Sequence, residues 1–184
     1  MFIRLLEAIG LGLEERQIPY MIIGGQAVLI YGEPRLTRDI DVTLGVGPER
    51  LADIVAFASA SAWRLLVESP YDFVQRTMVL PCLDPESSIR IDFIFSHSPY
   101  EHQAMERVRR VAIGKAAVRF ASAEDVIVHK IIAGRPRDME DVRTMLLKNA
   151  DLDREYIRSW LTEFDRSLGE SYLPKFEELA RFVS

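Results

Sequence analysis

A change of hydrophobic period near residue 121 limits the fold more than any other feature of the chain. Before it, strand-like and helix-like apolar patterns alternate; after Ser122 only helical patterns remain. That order predicts an α/β (α+β) core over residues 1–121. It also predicts a helical C-terminal part over 122–184, packed on the core rather than folding alone. With 184 residues the chain can bury one real core, and no long polar linker divides it.

Inside the first part, an amphipathic helix over about sixteen residues precedes a strand at Tyr20–Ile23. Gly24-Gly25 follows, then a helix from Gln26 to Tyr31, a loop containing Pro34, and a strand at Asp39–Leu44. Pro48 suits the first turn of a helix over 48–63. A short strand over 65–68 comes next, then strands over 73–82 and 89–96 joined by a turn-rich segment. A helix over 100–109 leads to a hairpin over 111–120 that turns at Gly114-Lys115. The remaining helices fall near 122–133, 138–149, 153–168 and 174–183.

The chain carries a formal charge of −5, so contact with nucleic acid would need a local basic patch. One cysteine, Cys82, excludes an internal disulfide and fits a reducing compartment. Arg4 and Glu7 interrupt the N-terminal apolar run, which is unlike a signal peptide, and residues 20–32 are too few to span a bilayer. The expectation is a soluble, cytoplasmic protein with no membrane partner.

Along Asp39–Leu44, side chains alternate between sheet faces, so Asp39, Asp41 and Thr43 share one face while Ile40, Val42 and Leu44 turn to the core. Two carboxylates so placed repel unless a cation sits between them. Oxygen-only ligands favour Mg²⁺ or Mn²⁺, ions that usually bridge to substrate phosphates. The competing reading is a solvated pair at the start of an edge strand. Gly24-Gly25, between a strand and a helix N-terminus, allows close approach of a phosphate, although most glycine pairs are simply turns. Asp92 interrupts the strand-forming run Ile89–Phe95. It is either a third metal ligand or an acid satisfied by Arg90, two residues away on the same face.

Ser122 followed by Asp125 reads as a helix cap. Beyond it, Lys130, Arg135, Arg137, Asp138 and Asp141 can all be explained as helix-end charges and caps. No Cys or His cluster accompanies His97, His102 or His129, which argues against zinc. Arg107, Arg109, Arg110, Lys115 and Arg119 form either a solvated helix-and-hairpin face, the preferred reading, or a strip facing RNA.

Ile23-Gly24-Gly25, thirteen intervening residues and Asp39-Ile40-Asp41-Val42 together resemble the signature of the DNA-polymerase-beta-like nucleotidyltransferase superfamily. Arg35-Leu36-Thr37-Arg38-Asp39-Ile40-Asp41 has the form R-x-T-x-D-h-D, common in small bacterial members. Lys130, Arg135 or Arg137, then Asp138 and Asp141, is similar to the paired motifs of AbiEii-type toxin nucleotidyltransferases. The resemblance implies that fold's small mixed sheet flanked by helices. It also implies transfer of a nucleoside monophosphate from an NTP to an acceptor hydroxyl: an RNA 3′ end such as tRNA, a protein or a small molecule. In that scheme Asp39, Asp41 and Asp92 hold Mg²⁺ or Mn²⁺, and Asp138 and Asp141 supply a further catalytic acid. Gly24, Gly25, Thr37, Lys130, Arg135 and Arg137 contact the nucleotide. A cognate antitoxin is the partner the toxin branch implies. Two alternatives stay open: a catalytically silent relative that binds a nucleotide or partner, and a phosphodiesterase-like hydrolase.

Overall fold

The computed structural model describes residues 1–96 and 98–182; His97, and the last residue of the helix expected over 174–183, lie outside them. The core element is a seven-stranded mixed sheet in the order β3-β4-β5-β2-β1-β7-β6. Its strands are β1 (Tyr20–Ile23), β2 (Asp39–Leu44), β3 (Arg64–Leu65), β4 (Val79–Asp84), β5 (Ile89–Phe95), β6 (Arg109–Ile113) and β7 (Ala116–Phe120). Helices α1 (Phe2–Glu15), α2 (Gly24–Tyr31), α3 (Leu51–Ala60), α4 (Pro70–Thr77) and α5 (Pro99–Glu106) belong to the first part of the chain. Helices α6 (Ala123–Ala133), α7 (Pro136–Lys148), α8 (Arg154–Leu168) and α9 (Tyr172–Arg181) follow. Among the described residues, no helix is long and apolar enough to cross a membrane.

Local sequence explains most of these elements. Helix α1 buries Leu5, Leu6, Ile9 and Leu13, spaced to form one stripe, and packs that stripe on β7 and β6. In β5 burial alternates, with Ile89, Ile91, Phe93 and Phe95 inward, while Phe93 meets Phe57 and Trp63 across the core. Ser122 caps α6 by accepting from the Asp125 N–H, and Asp125 is itself buried and receives the Tyr156 hydroxyl at 2.8 Å. Helix α6 lies against α2, α7, α8 and α9, so the C-terminal helices are joined to the sheet through α6 and α2, the latter packed on β1 and β2.

Several expected element bounds change, and the competing edge-strand reading of Asp39 and Asp41 falls away. Residues 73–82 do not form one strand: α4 ends at Thr77, is capped by Met78 in the left-handed region at φ 58°, and β4 begins at Val79. Pro70 fixes the backbone of the first helical turn, and Val74 alone in α4 is buried, so a short amphipathic helix wins over the strand-like run Phe73-Val74. The helix expected over 48–63 splits into a 3-10 turn at Pro48–Arg50 and then α3. Strand β2 is not at an edge; it is paired on both sides, antiparallel to β1 and parallel to β5.

Candidate active site

Pairing of β2 with both neighbours sets the position of the acidic residues. Asp41 stands beside Asp92 of β5 and beside Ile23 of β1, so the third acid and the start of the glycine turn converge on one residue. Asp39, one step along the same face, accepts a 2.7 Å hydrogen bond from the Thr37 hydroxyl. Asp92 accepts a 2.8 Å bond from Arg90 Nε, the local partner its sequence position suggested. Arg90 is held in its charged form by that bond. The Asp41 carboxylate has no hydrogen-bond or ion-pair partner among the described residues, and burial together with Asp39 and Asp92 raises its pKa to about 6.

Two glycines make room for this arrangement. Gly24 lies at φ +63°, and a Cβ there would overlap the Asp41 carboxylate. A Cβ on Gly25 would meet the Thr37 hydroxyl and approach the Arg35 guanidinium. Helix α2 starts at Gly24 itself, two residues earlier than its apolar pattern suggested, and no side chain caps its N-terminus. Its first N–H groups are therefore left without a side-chain cap at a helix start that lies beside Asp41 and Thr37, an arrangement suited to phosphate oxygens. Gly24→Ala is expected to displace Asp41 and to force an alanine into a left-handed conformation costing about 1–2 kcal/mol. Turnover should fall by ~10²-fold or more, since small misplacements at a reacting centre have effects of that size. Steady-state kinetics beside a denaturant melt would separate the two losses.

The opposite wall comes from the corner between α6 and α7. Lys130, buried, contacts Asp138 Oδ1 at 2.5 Å and Asp141 Oδ2 at 2.9 Å. Arg135 Nε reaches Asp138 Oδ2 at 2.6 Å, and Asp138 also accepts from the Arg135 backbone N–H as the N3 acid of a capping box. Burial alone would raise the Asp138 pKa, but hydrogen bonds from Arg135 and Lys130 bring it below the usual carboxylate value. Asp141 is also paired with Arg35 at 2.9 Å, and Arg137 donates to the Leu36 carbonyl at 2.9 Å. The loop between α2 and β2 is thus tied to α7 by charged groups.

These elements enclose an open cleft of about 770 Å³ lined by Gly24, Gly25, Arg35, Leu36, Thr37, Arg38, Asp39, Asp41, Arg90, Asp92, Lys130, Arg135, Arg137 and Asp138. Every residue that the resemblance assigned to the metal, nucleotide or catalysis lines it except Asp141, which lies behind Lys130 and Arg35; the basic strip from Arg107 to Arg119 does not. Sequence reasoning did not pick out Arg35 and Arg38 as site residues, although both lie within the R-x-T-x-D-h-D segment. Lys130 does reach the cleft, but two carboxylates already hold its ammonium. His129 is half-buried beside the Tyr100 ring, and desolvation lowers its pKa.

Residues 2–174 match the family described as nucleotidyltransferase of unknown function (DUF6036), and the chain belongs to that family. The same fold is found in solved nucleotidyltransferases. ANT(2″)-Ia in complex with adenylyl-2″-tobramycin is 19% identical over 91% of this chain and 98% of that one, with a TM-score of 0.61. An antigenic nucleotidyltransferase-like protein from Paracoccidioides brasiliensis is 15% identical over 97% and 91%, with a TM-score of 0.58. The lincosamide antibiotic adenylyltransferase LnuA, lincomycin-bound, is 15% identical over 72% and 89%, with a TM-score of 0.50. At such identities these similarities establish the fold alone. No curated protein matches the chain.

Proposed function

We propose that the cleft transfers a nucleoside monophosphate from an NTP to an acceptor hydroxyl with release of pyrophosphate. The observation that carries this reading is Asp41, a largely buried carboxylate without a partner, set between Asp39 and Asp92 and facing the Gly24-Gly25 turn. Three acids on one sheet face fit a divalent cation by charge and by donor type. Among the described residues, no three Asp, Glu, His or Cys side chains are gathered closely enough to hold an ion by themselves, so an ion here would take its remaining oxygens from the substrate. Asp39, Asp41 and Asp92 would hold Mg²⁺ or Mn²⁺, which would neutralise phosphate charge and lower the pKa of the acceptor hydroxyl.

The chain's own groups account for the remaining work. N–H groups at the start of α2 would bind phosphate oxygens, with Thr37 holding Asp39 in place. Arg135 and Arg137 at the mouth would attract the triphosphate, while Lys130 adds positive charge from the wall. Asp92, its Oδ1 fixed by Arg90, would offer its other oxygen toward the acceptor hydroxyl. Asp138 and Asp141 would act mainly by positioning Lys130, Arg135 and Arg35. Because α6 and α7 supply one wall, the 1–121 core and the 122–184 helices would work as one unit.

The acceptor follows less directly. The fold relatives named for adenylyl-2″-tobramycin and lincomycin support a small molecule, whereas the resemblance of residues 35–41 and 130–141 to AbiEii-type toxins supports RNA and an antitoxin partner. Incubation with each α-labelled NTP, Mg²⁺, and in turn tRNA, cell protein or aminoglycosides is the test. Label should move to one acceptor class with stoichiometric pyrophosphate, and Asp39→Ala/Asp41→Ala should abolish it. No transfer to any class would sink the proposal; NMP formed without an acceptor would mark a hydrolase.

A further inference from the structure

The β6–β7 hairpin carries charge that neither the fold nor the cleft uses. From Arg107 to Ala123 the sequence has five cations and no acid, within a chain whose formal charge is −5. Arg107 is accounted for: it pairs with Glu124 and lies 3.9 Å from the Tyr156 ring centroid. Arg109, Arg110, Lys115 and Arg119 have no side-chain ion-pair partner among the described residues, although the Glu7 carboxylate accepts the Lys115 backbone N–H at 2.8 Å and packs against the Gly114 turn. Arg109 and Arg119 rest against Tyr31 and Tyr20, which steadies the guanidinium groups without neutralising them. Arg110 stands directly opposite Arg119 across the hairpin, and like charges so placed oppose strand pairing. Strand β6 is also a sheet edge, so its outer backbone N–H and C=O groups lack a strand partner.

Topology brings this charge near the cleft. Strand β7 runs parallel to β1 with Phe120 beside Ile22, and Arg109 pairs with Phe120. Arg109 therefore stands at the end of the sheet where β1 enters Gly24. Three strand spacings separate β6 from β2, about 15 Å, a distance that a few nucleotides of an extended strand can cover.

Resting on the nucleotidyltransferase reading, we infer that the acceptor is an RNA that runs along the β6 edge, its phosphates meeting Arg109 on one face of the hairpin, Arg110 and Arg119 on the other and Lys115 at the turn, and that its 3′ end enters the cleft. A polyanion explains unneutralised cations gathered on one hairpin of an acidic protein. A polycationic aminoglycoside would be repelled by the same surface. The free edge of β6 favours RNA over DNA, because its backbone groups can meet 2′-hydroxyls.

Fluorescence anisotropy with a labelled 20-nucleotide RNA, without NTP, tests this on the full chain. Wild type should bind, with affinity falling steeply between 50 and 200 mM salt. Arg109→Gln/Arg110→Gln/Lys115→Gln should weaken binding at least ~10-fold and reduce the salt slope by about two units, since each lost phosphate contact removes about 0.7. The Arg109→Lys/Arg110→Lys protein should keep most of the affinity, and circular dichroism would verify the fold of each variant. Asp39→Ala/Asp41→Ala should bind RNA at least as tightly as wild type while transferring no label, which separates this proposal from failure of the chemistry. Equal affinity of wild type and the triple variant, no RNA binding, or equal binding of the same-sequence DNA would overturn it. So would nucleotidyl transfer that proceeds to a small molecule or protein but to no RNA.

Discussion

Asp41→Asn is expected to stop nucleotidyl transfer while making the metal-free protein more stable. In the folded chain the Asp41 pKa rises from 3.8 to about 6, first through burial and then through repulsion by Asp39 and Asp92. A carboxyl with a higher pKa folded than unfolded binds more protons in the folded state. Stability of the metal-free protein should therefore fall as pH rises from about 4 through 6, with the whole penalty in force at pH 7. Asparagine removes the charge at nearly constant shape and should return about 1–3 kcal/mol at pH 7. For a chain of this length that is a rise in Tm of roughly 2–8 °C. Turnover should drop by ~10³-fold or more, as expected when a charge-stabilising group at the reacting phosphate is lost. Thermal melts at pH 5 and 7 with EDTA, set beside label-transfer rates, check both halves. A variant equally active, or less stable at pH 7 without metal, would contradict the role given to Asp41.

Lys130→Met should have the largest effect on stability. Lys130 is buried and its ammonium lies between Asp138 and Asp141 at 2.5 and 2.9 Å. Removing one partner of a buried ion pair leaves uncompensated charge, at a cost of about 3–5 kcal/mol. Arg135 still reaches Asp138 and Arg35 still reaches Asp141, so the loss should lie near the lower end, about 3 kcal/mol. Lys130→Met/Asp138→Asn should recover part of it, because the double change removes the stranded charge as well. If Lys130 served only as a phosphate contact on a solvated wall, KM for the NTP would rise with little change in Tm. A denaturant melt of the two variants decides between these roles.

The acidic strand was legible because its pattern is local. Asp39-Ile40-Asp41-Val42 alternates with the period of a strand, and Asp92 interrupts an otherwise apolar run, so both faces could be read from the residues themselves. The register that sets Asp41 beside Asp92 could not, since it depends on parallel pairing between strands about fifty residues apart. Arg35 and Asp141 are still farther apart in sequence, and nothing in either neighbourhood announces their contact. Lys130 shows the limit of a resemblance: its position in the cleft agrees with the motif, but the two carboxylates holding it appear only in three dimensions. The α4 segment failed for a different reason. Phe73-Val74 and Met78-Val79-Leu80 are strand-prone runs separated by Gln75-Arg76-Thr77, and the first turn set by Pro70 and the left-handed Met78 divide them into helix and strand.

The central claim is that Asp39, Asp41 and Asp92 hold a divalent cation that brings an NTP onto the Gly24-Gly25 turn. Calorimetric titration of the protein with non-hydrolysable analogues of the four NTPs, with and without Mg²⁺, tests it most directly. At least one analogue should bind only when Mg²⁺ is present, and Asp39→Asn/Asp41→Asn should lose that binding while keeping a Tm at or above wild type. Binding of equal strength without Mg²⁺, or in the double variant, would contradict the account.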